Sequence, residues 1–363
     1  MTRRAKKNVI VMGGGTGVFT VLSALKVFPQ FDLRAIVAMT DDGGSSGVLR
    51  DELGVLPPGD IRQCMVALSE APEIIRKLMN YRFENGGLRG HSFGNLFLSA
   101  LEKVSGSFEQ SIAEIGKIIK IKGEIIPVAL DKGRLEMTLK NGTVLSGERA
   151  ITPAEVIQAI GIKKFCIKPK LTVNPKARRA MLDADAIIVG PGNLYTSLIP
   201  LFLVSGMVAA FKKSKAKKIL IVNVMSKFGQ TDGWTPFQLA SEIESYIGNG
   251  VVDVAVCNNK EPVEPLLLRY FKKERSHPIL LKGKSKQVIG RTMFLGGNFL
   301  DNGIYMQQKA DALLRRSLIR HSPKKLGAFL SKLICPVVSC QRQIRLWRKN
   351  ATALTREFIN KHA

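Results

Sequence analysis

The stretch NVIVMGGGTGVFTVLSALK, Asn8 to Lys26, with its continuation TDDGGSSGVLRDELGVLPPGDIR, Thr40 to Arg62, decides how this chain reads. Asn8 to Met12 is a short, mostly apolar run that stops at Gly13, Gly14, Gly15, Thr16 and Gly17, after which Val18, Val21, Leu22 and Leu25 recur at helical spacing. The pattern predicts strand, glycine turn, helix. Glycine serves a backbone that takes positive φ or lies close to a ligand, and the helix start behind it offers unpaired N–H groups and the positive end of a dipole. A phosphate is the expected guest; a tight turn with no ligand is the plainer alternative.

The continuation repeats the logic. Leu33, Ala35, Ile36, Val37 and Met39 read as a buried strand that ends in the polar loop Thr40 to Gly47, which holds Asp41, Asp42, Ser45 and Ser46. In a doubly wound parallel sheet, ligands sit beyond the carboxyl ends of the strands, and an acid after the second strand commonly holds a ribose hydroxyl. Asp41 and Asp42 stand where that acid belongs. A hydrated magnesium ion beside a phosphate, with Asp42 as its candidate ligand, is the other role, and the spacing leaves both open. Because Val18 takes the place of the third glycine, the turn does not complete the dinucleotide fingerprint, and a nicotinamide or flavin enzyme gains little support.

At 363 residues the chain exceeds the ~100–200 of a typical domain, although large α/β domains reach this length as one unit. A hydrophobic content of 45% is enough for a real core. The 55 lysines and arginines against 29 acids give a net charge of +26. Such a field favours nucleotides, nucleic acid or acidic lipid without choosing among them, and a generally basic proteome would produce it as well. The five cysteines are odd in number and form no CxxC pair, which argues for a reducing compartment and against structural zinc. The apolar run after Met1 to Lys7 is too short for a signal peptide, and Leu198 to Phe211 falls short of the ~20 residues of a membrane span. A cytosolic protein is expected.

Along the chain, Pro57 to Asp60 reads as a turn with Asp60 as helix N-cap, which puts Arg62 on the first helical turn near the glycine loops. GHSFGN, residues 90–95, opens a helix with the apolar face Leu96, Phe97, Ala100, Leu101 and Val104. His91 and Asn95 either face the same crevice or are hydrogen-bonded structural residues. Residues 120–152 turn to short alternating runs around Lys132-Gly133 and Asn141-Gly142, a hairpin pattern that predicts a small antiparallel insert with a structural flap as its default role. Ala184 to Val189 is another buried strand, followed by Gly190, Pro191, Gly192, Asn193, Leu194, Tyr195, Thr196 and Ser197, a second loop suited to phosphate. A weaker third loop, Asn223 to Thr231, follows the strand Ile219 to Val222. Polar loops after successive strands put the site at one rim of the sheet. The organisation expected is a ligand-binding domain over residues 1–320 and a basic helical tail over 321–363. From Ser322 onward the tail has nine basic residues against one acid, with apolar stripes at Leu326, Phe329, Leu330, Leu333, Ile334 and at Ile344, Trp347, Ala351, Leu354, Phe358. Such a tail lies on an anionic membrane, binds RNA or an acidic partner, or packs on the core or on a second subunit.

With these motifs assembled, the chain resembles the YvcK family of bacterial gluconeogenesis factors, within the superfamily of 2-phospho-L-lactate transferase (CofD). The resemblance rests on GGGTG at 13–17, DDGGSSG at 41–47, LRDELGVLPPGDIRQC at 49–64, YRF at 81–83, GHSFGNL at 90–96, GPGNLYTSLIP at 190–200 and NVM at 223–225. It implies a Rossmann-like α/β fold, binding of a nucleotide-linked ligand such as UDP-N-acetylglucosamine, and a role in cell shape and wall synthesis on non-sugar carbon sources. The ligand-binding set it implies is Gly14 to Gly17, Asp41, Asp42, Ser45, Ser46, Asp60, Arg62, His91, Asn95, Gly190 to Asn193, Tyr195, Thr196, Asn223 and Met225. Gly14 to Gly17 and Gly190 to Asn193 would cradle the diphosphate, Asp41 or Asp42 would hold ribose or a cation, and Asn223 and Thr196 would add side-chain contacts. The transferase branch implies instead a guanosine nucleotide, a deazaflavin and magnesium, with Asp41 and Asp42 as catalytic candidates. This chain departs from the family at Val48, at Asn193, at SKFGQT in 226–231, where TQPGET is usual and Gln230 replaces an acid, and at NGIYMQQ in 302–308, which lacks an Arg-His pair.

Overall fold

The computed structural model describes residues 6–301 and 319–335. Eleven strands are present among them: β1 (Lys7–Gly13), β2 (Phe31–Val37), β3 (Glu124–Pro127), β4 (Arg134–Leu139), β5 (Val144–Ser146), β6 (Ile162–Lys168), β7 (Ala186–Val189), β8 (Lys217–Ile221), β9 (Val254–Asn258), β10 (Lys286–Ile289) and β11 (Thr292–Gly297). Eight of them make one sheet in the order β10-β11-β9-β8-β7-β1-β2-β3, parallel throughout except that β10 runs against β11. The fold is the mostly parallel α/β sheet that the sequence pattern predicts. Its central strands are apolar on both faces, with Val9 to Met12 and Ile187 to Ile188 fully buried, because helices cover both sides.

The chain steps outward from β1 to β2 and β3, then returns to the other flank of β1 as β7 and continues through β8, β9 and β11. The strand order therefore reverses between β1 and β7. The two loops leaving these neighbours cannot pair with each other in the sheet, and a crevice opens between them.

The remaining strands, β5-β4-β6, form the antiparallel insert. The Asn141-Gly142 hairpin between β4 and β5 is as the sequence predicts, with Gly142 at φ +92° and the Asn141 side chain accepting the Thr143 N–H at 3.1 Å. The expected limits, 120–152, shift: Glu124–Pro127 joins the main sheet beside β2, whereas β6, beyond residue 152, pairs with β4 as the third insert strand. Alternation alone could not separate a buried edge of the large sheet from a strand of the small one.

One further expectation changes at a helix. Asp60 does not cap its own helix: Pro58 stands at the N-cap of Gly59–Leu68 and no side chain caps it. Of the readings open for the tail, its first stretch packs on the core: Pro323–Ile334 is a helix whose Leu326, Gly327 and Leu330 are buried against the helix Gly15–Lys26. Phe329 adds an edge-on ring contact to Phe299 at 5.0 Å between centroids. The stripe from Ile344 to Phe358 and the NGIYMQQ segment lie outside the described residues. No helix among the described residues is long and apolar enough to cross a membrane.

Candidate functional site

The triple-glycine loop leaves β1 and the proline-glycine loop leaves β7 side by side, with the Gly190 N–H bonded to the Met12 carbonyl at 2.9 Å. Gly17 shows how closely they meet. A methyl group on its Cα would lie 1.9 Å from the Pro191 carbonyl oxygen, so only glycine lets the helix Gly15–Lys26 start against the second loop. That second loop leads into a π-helical turn, Leu194–Leu198, so two helix starts with unpaired N–H groups share one rim. Asn223, at the end of β8, clasps the same loop in both directions: its Oδ1 accepts the Gly192 N–H at 3.2 Å and its Nδ2 donates to the Gly192 carbonyl at 2.8 Å. The side chain shapes the cradle.

Asp60 comes in from the helix below. Its carboxylate accepts the Gly15 N–H and lies against the Gly14 Cα, where a methyl group would sit 2.2 Å from Oδ2. Withdrawal from water and the nearby Asp41 charge push the Asp60 carboxyl up to about 7, against the pull of the Gly15 amide and Arg62. Asp41 is itself raised, first by burial; the Ser46 hydroxyl and the Gly43 N–H, the latter at 2.8 Å, oppose the rise.

The other acid of the pair turns elsewhere. Asp42 Oδ1 accepts the Arg149 N–H at 3.0 Å and Oδ2 faces Arg134 Nε at 3.9 Å, both on the insert. The carboxylate that the sequence offers to magnesium thus ties the insert to the loop after β2 and does not fit a cation in the crevice. Among the described residues no three His, Cys, Asp or Glu side chains are disposed to hold a metal ion.

Ser45, His91, Asn95 and Arg62 are brought together, as the sequence grouping expects, but mainly on one another. Ser45 Oγ lies 3.1 Å from His91 Nδ1 and accepts from Asn95 Nδ2 at 3.2 Å, while Asn95 Oδ1 accepts from Arg62 Nε at 2.9 Å. Arg62 also bonds Asn80 and the Met79 carbonyl, so its guanidinium is buried beneath the crevice. Tyr195 and Met225 are turned to packing. The Tyr195 hydroxyl donates to Glu242 at 3.2 Å with its ring edge-on to Phe165, and Met225 sits in a small apolar cluster with Val224, Tyr270, Leu300 and Ile319. Asn193 is exposed at the start of the π-helical turn.

One acid escaped the sequence reading. Glu148, the first residue of the insert helix Glu148–Ile151, faces Thr196 across the crevice and stands close enough to Asp41 and Asp60 to feel both charges. Burial first, and those two carboxylates second, hold its carboxyl well above the usual range. The sequence signal was slight: an acid behind Gly147 at the close of a hairpin, in a chain poor in acids.

A profile of the 2-phospho-L-lactate transferase CofD family matches residues 9–294, which spans the whole crevice. The chain belongs to this family. The CofD-family match is joined by two proteins named gluconeogenesis factor. That of Halalkalibacterium halodurans is 39% identical over 287 residues, covering 78% of this chain and 87% of its own. That of Bacillus subtilis is 36% identical over 275 residues, covering 76% and 85%. In structure, the chain is similar to a member of the UPF0052 family from Bacillus halodurans, with a TM-score of 0.79 and 35% identity over 90% of this chain and 99% of that one.

Proposed function

We propose that this CofD-family chain binds a nucleoside-diphosphate sugar, of the UDP-N-acetylglucosamine kind, in the crevice between β1 and β7. In this reading it acts in the cytoplasm as a regulator of cell shape and wall synthesis during gluconeogenic growth. The observation that carries the reading is the contact of Gly17 with Pro191. It brings two anion-friendly helix starts, distant in the chain, onto one ligand-sized opening. Backbone amides of Thr16, Gly17, Asn193 and Leu194 would take the diphosphate, and Asp41 would take a hydroxyl. The shared name of the relatives supports the cellular role.

Thr16 is exposed at the cradle, so Thr16→Glu adds a like charge without disturbing the core. Calorimetry with UDP-N-acetylglucosamine should give saturable heat with the natural chain and an affinity lower by about tenfold or more with the variant. No heat with the natural chain would overturn the assignment.

The three carboxyl groups Asp41, Asp60 and Glu148 favour a second reading, a transferase of the 2-phospho-L-lactate kind that the family is named for, using a nucleotide-activated donor. Magnesium-dependent turnover of a guanylated phospho-acid with a flavin-like acceptor would decide for it.

A further inference from the structure

The helix Glu148–Ile151 is a single turn, too short to hold its own shape, yet it is fixed at both ends by other elements. At its start, Asp42 from the loop after β2 accepts the Arg149 N–H at 3.0 Å. At its end, Gln230 from the loop after β8 donates through Nε2 to the Ile151 and Thr152 carbonyls at 2.8 and 3.1 Å. Just beyond, Gln158 and Asp232 exchange two hydrogen bonds of 2.8 and 2.7 Å. Arg275 reaches Glu155 at 3.4 Å while stacked on the Phe228 ring. The insert is thereby tied to loops on either side of the switch point, and Glu148 is the side chain that it holds between them, facing Thr196, Asp41 and Asp60.

We propose that Glu148 contacts the hydroxyl-bearing sugar of the ligand, and that Gln230 is a positioning residue that keeps it there. The inference rests on the nucleotide-sugar reading above. A carboxyl group set among other carboxyl groups is a poor partner for phosphate. It suits neighbouring sugar hydroxyls, whose O–H groups donate to carboxylate oxygens. The insert then has a role beyond that of a flap, since it brings the sugar-reading side chain to a cradle that reads the diphosphate.

Calorimetry on the full chain with UDP-N-acetylglucosamine and with UDP tests this, with thermal melting as the check on folding. Glu148→Ala should weaken the sugar nucleotide by about tenfold and leave UDP within about twofold, while Glu148→Gln should retain most of the affinity for both. Gln230→Ala should weaken the sugar nucleotide by about three- to tenfold, again with UDP unchanged. Equal losses for both ligands, or none for either, would overturn the proposal while leaving the nucleotide-sugar reading in place. So would a natural chain that binds the two ligands equally well. A natural chain that binds neither would remove the reading on which the proposal stands.

Discussion

The carboxylate of Asp60 accepts the backbone N–H of Gly15, so the helix start behind the triple glycine already carries an acid of the protein's own. Gly14 is the residue that lets it in, since a side chain there would overlap the Asp60 carboxyl. A diphosphate arriving at the same rim meets that carboxylate. The amides left to it are those further along the turn and on the second loop.

The position of Asp60 has a consequence for stability. Its carboxyl is pushed up to about 7 in the folded chain from the ordinary aspartate range near 3.8, so the folded state holds the proton more tightly than the unfolded one. The stabilisation is complete below pH 4 and is lost as pH rises through 7. Asp60→Asn keeps an oxygen for the Gly15 N–H and removes the charge. Its melting temperature should exceed that of the natural chain at pH 8, and the gap between the two should narrow as pH falls from 8 to 5; a gap that does not change with pH would refute this.

Gly17 tests the cradle itself. The Cβ of Gly17→Ala would overlap the Pro191 carbonyl oxygen, a backbone atom that cannot swing aside, so the two loops must part. A loss of about 1–3 kcal/mol in urea unfolding is expected, in the range of overpacked sites, together with loss of ligand heat. Unchanged stability would mean that the loops are not in contact.

Much of this was legible because it is periodic. The run Val9 to Met12 followed by Val18, Val21, Leu22 and Leu25 determines strand and helix without help from the rest of the chain, and four of these helical positions are buried as the spacing requires. The meeting of the two glycine loops was also legible, since parallel strands place their following loops at one rim. What the sequence could not convey is where loop side chains turn. Asp41 and Asp42 are adjacent, yet one stays at the crevice and its neighbour pins the insert, a choice made by Arg149, which is over a hundred positions away. Tyr195 and Met225 lie in the right loops but are drawn into packing by Phe165 and Tyr270. Glu148 became visible only when the insert was folded over the crevice.

His321 lies just before the helix Pro323–Ile334. It is buried, its ring donates to the Val222 carbonyl, and its Nε2 has no hydrogen-bond partner among the described residues. Burial lowers its pKa to about 4 from 6.5. The unfolded chain therefore binds the proton first, and stability falls as pH drops from 6.5 through 4. The interval is worth about 3 kcal/mol. His321→Asn retains an N–H for Val222 and has no proton to take up. The gap in urea midpoint between the variant and the natural chain should widen in the variant's favour as pH falls from 7 to 4.5, and a gap that stays constant would refute the assignment.

The helix Pro323–Ile334 separates two readings of the basic tail. An amphipathic helix lying on an anionic membrane needs its apolar face free, but Leu326 and Leu330 are fully buried and Gly327 lies against the Ala24 carbonyl of the first helix. The face that looks ready for lipid is therefore part of the core. Leu330→Ala should cost about 2–5 kcal/mol in urea unfolding, the range for a leucine removed from a packed interior. It should leave partition onto acidic vesicles unchanged or raise it, because loosening the helix frees an apolar surface. Unaltered stability with weakened vesicle binding would mean that the leucine serves the membrane and not the fold.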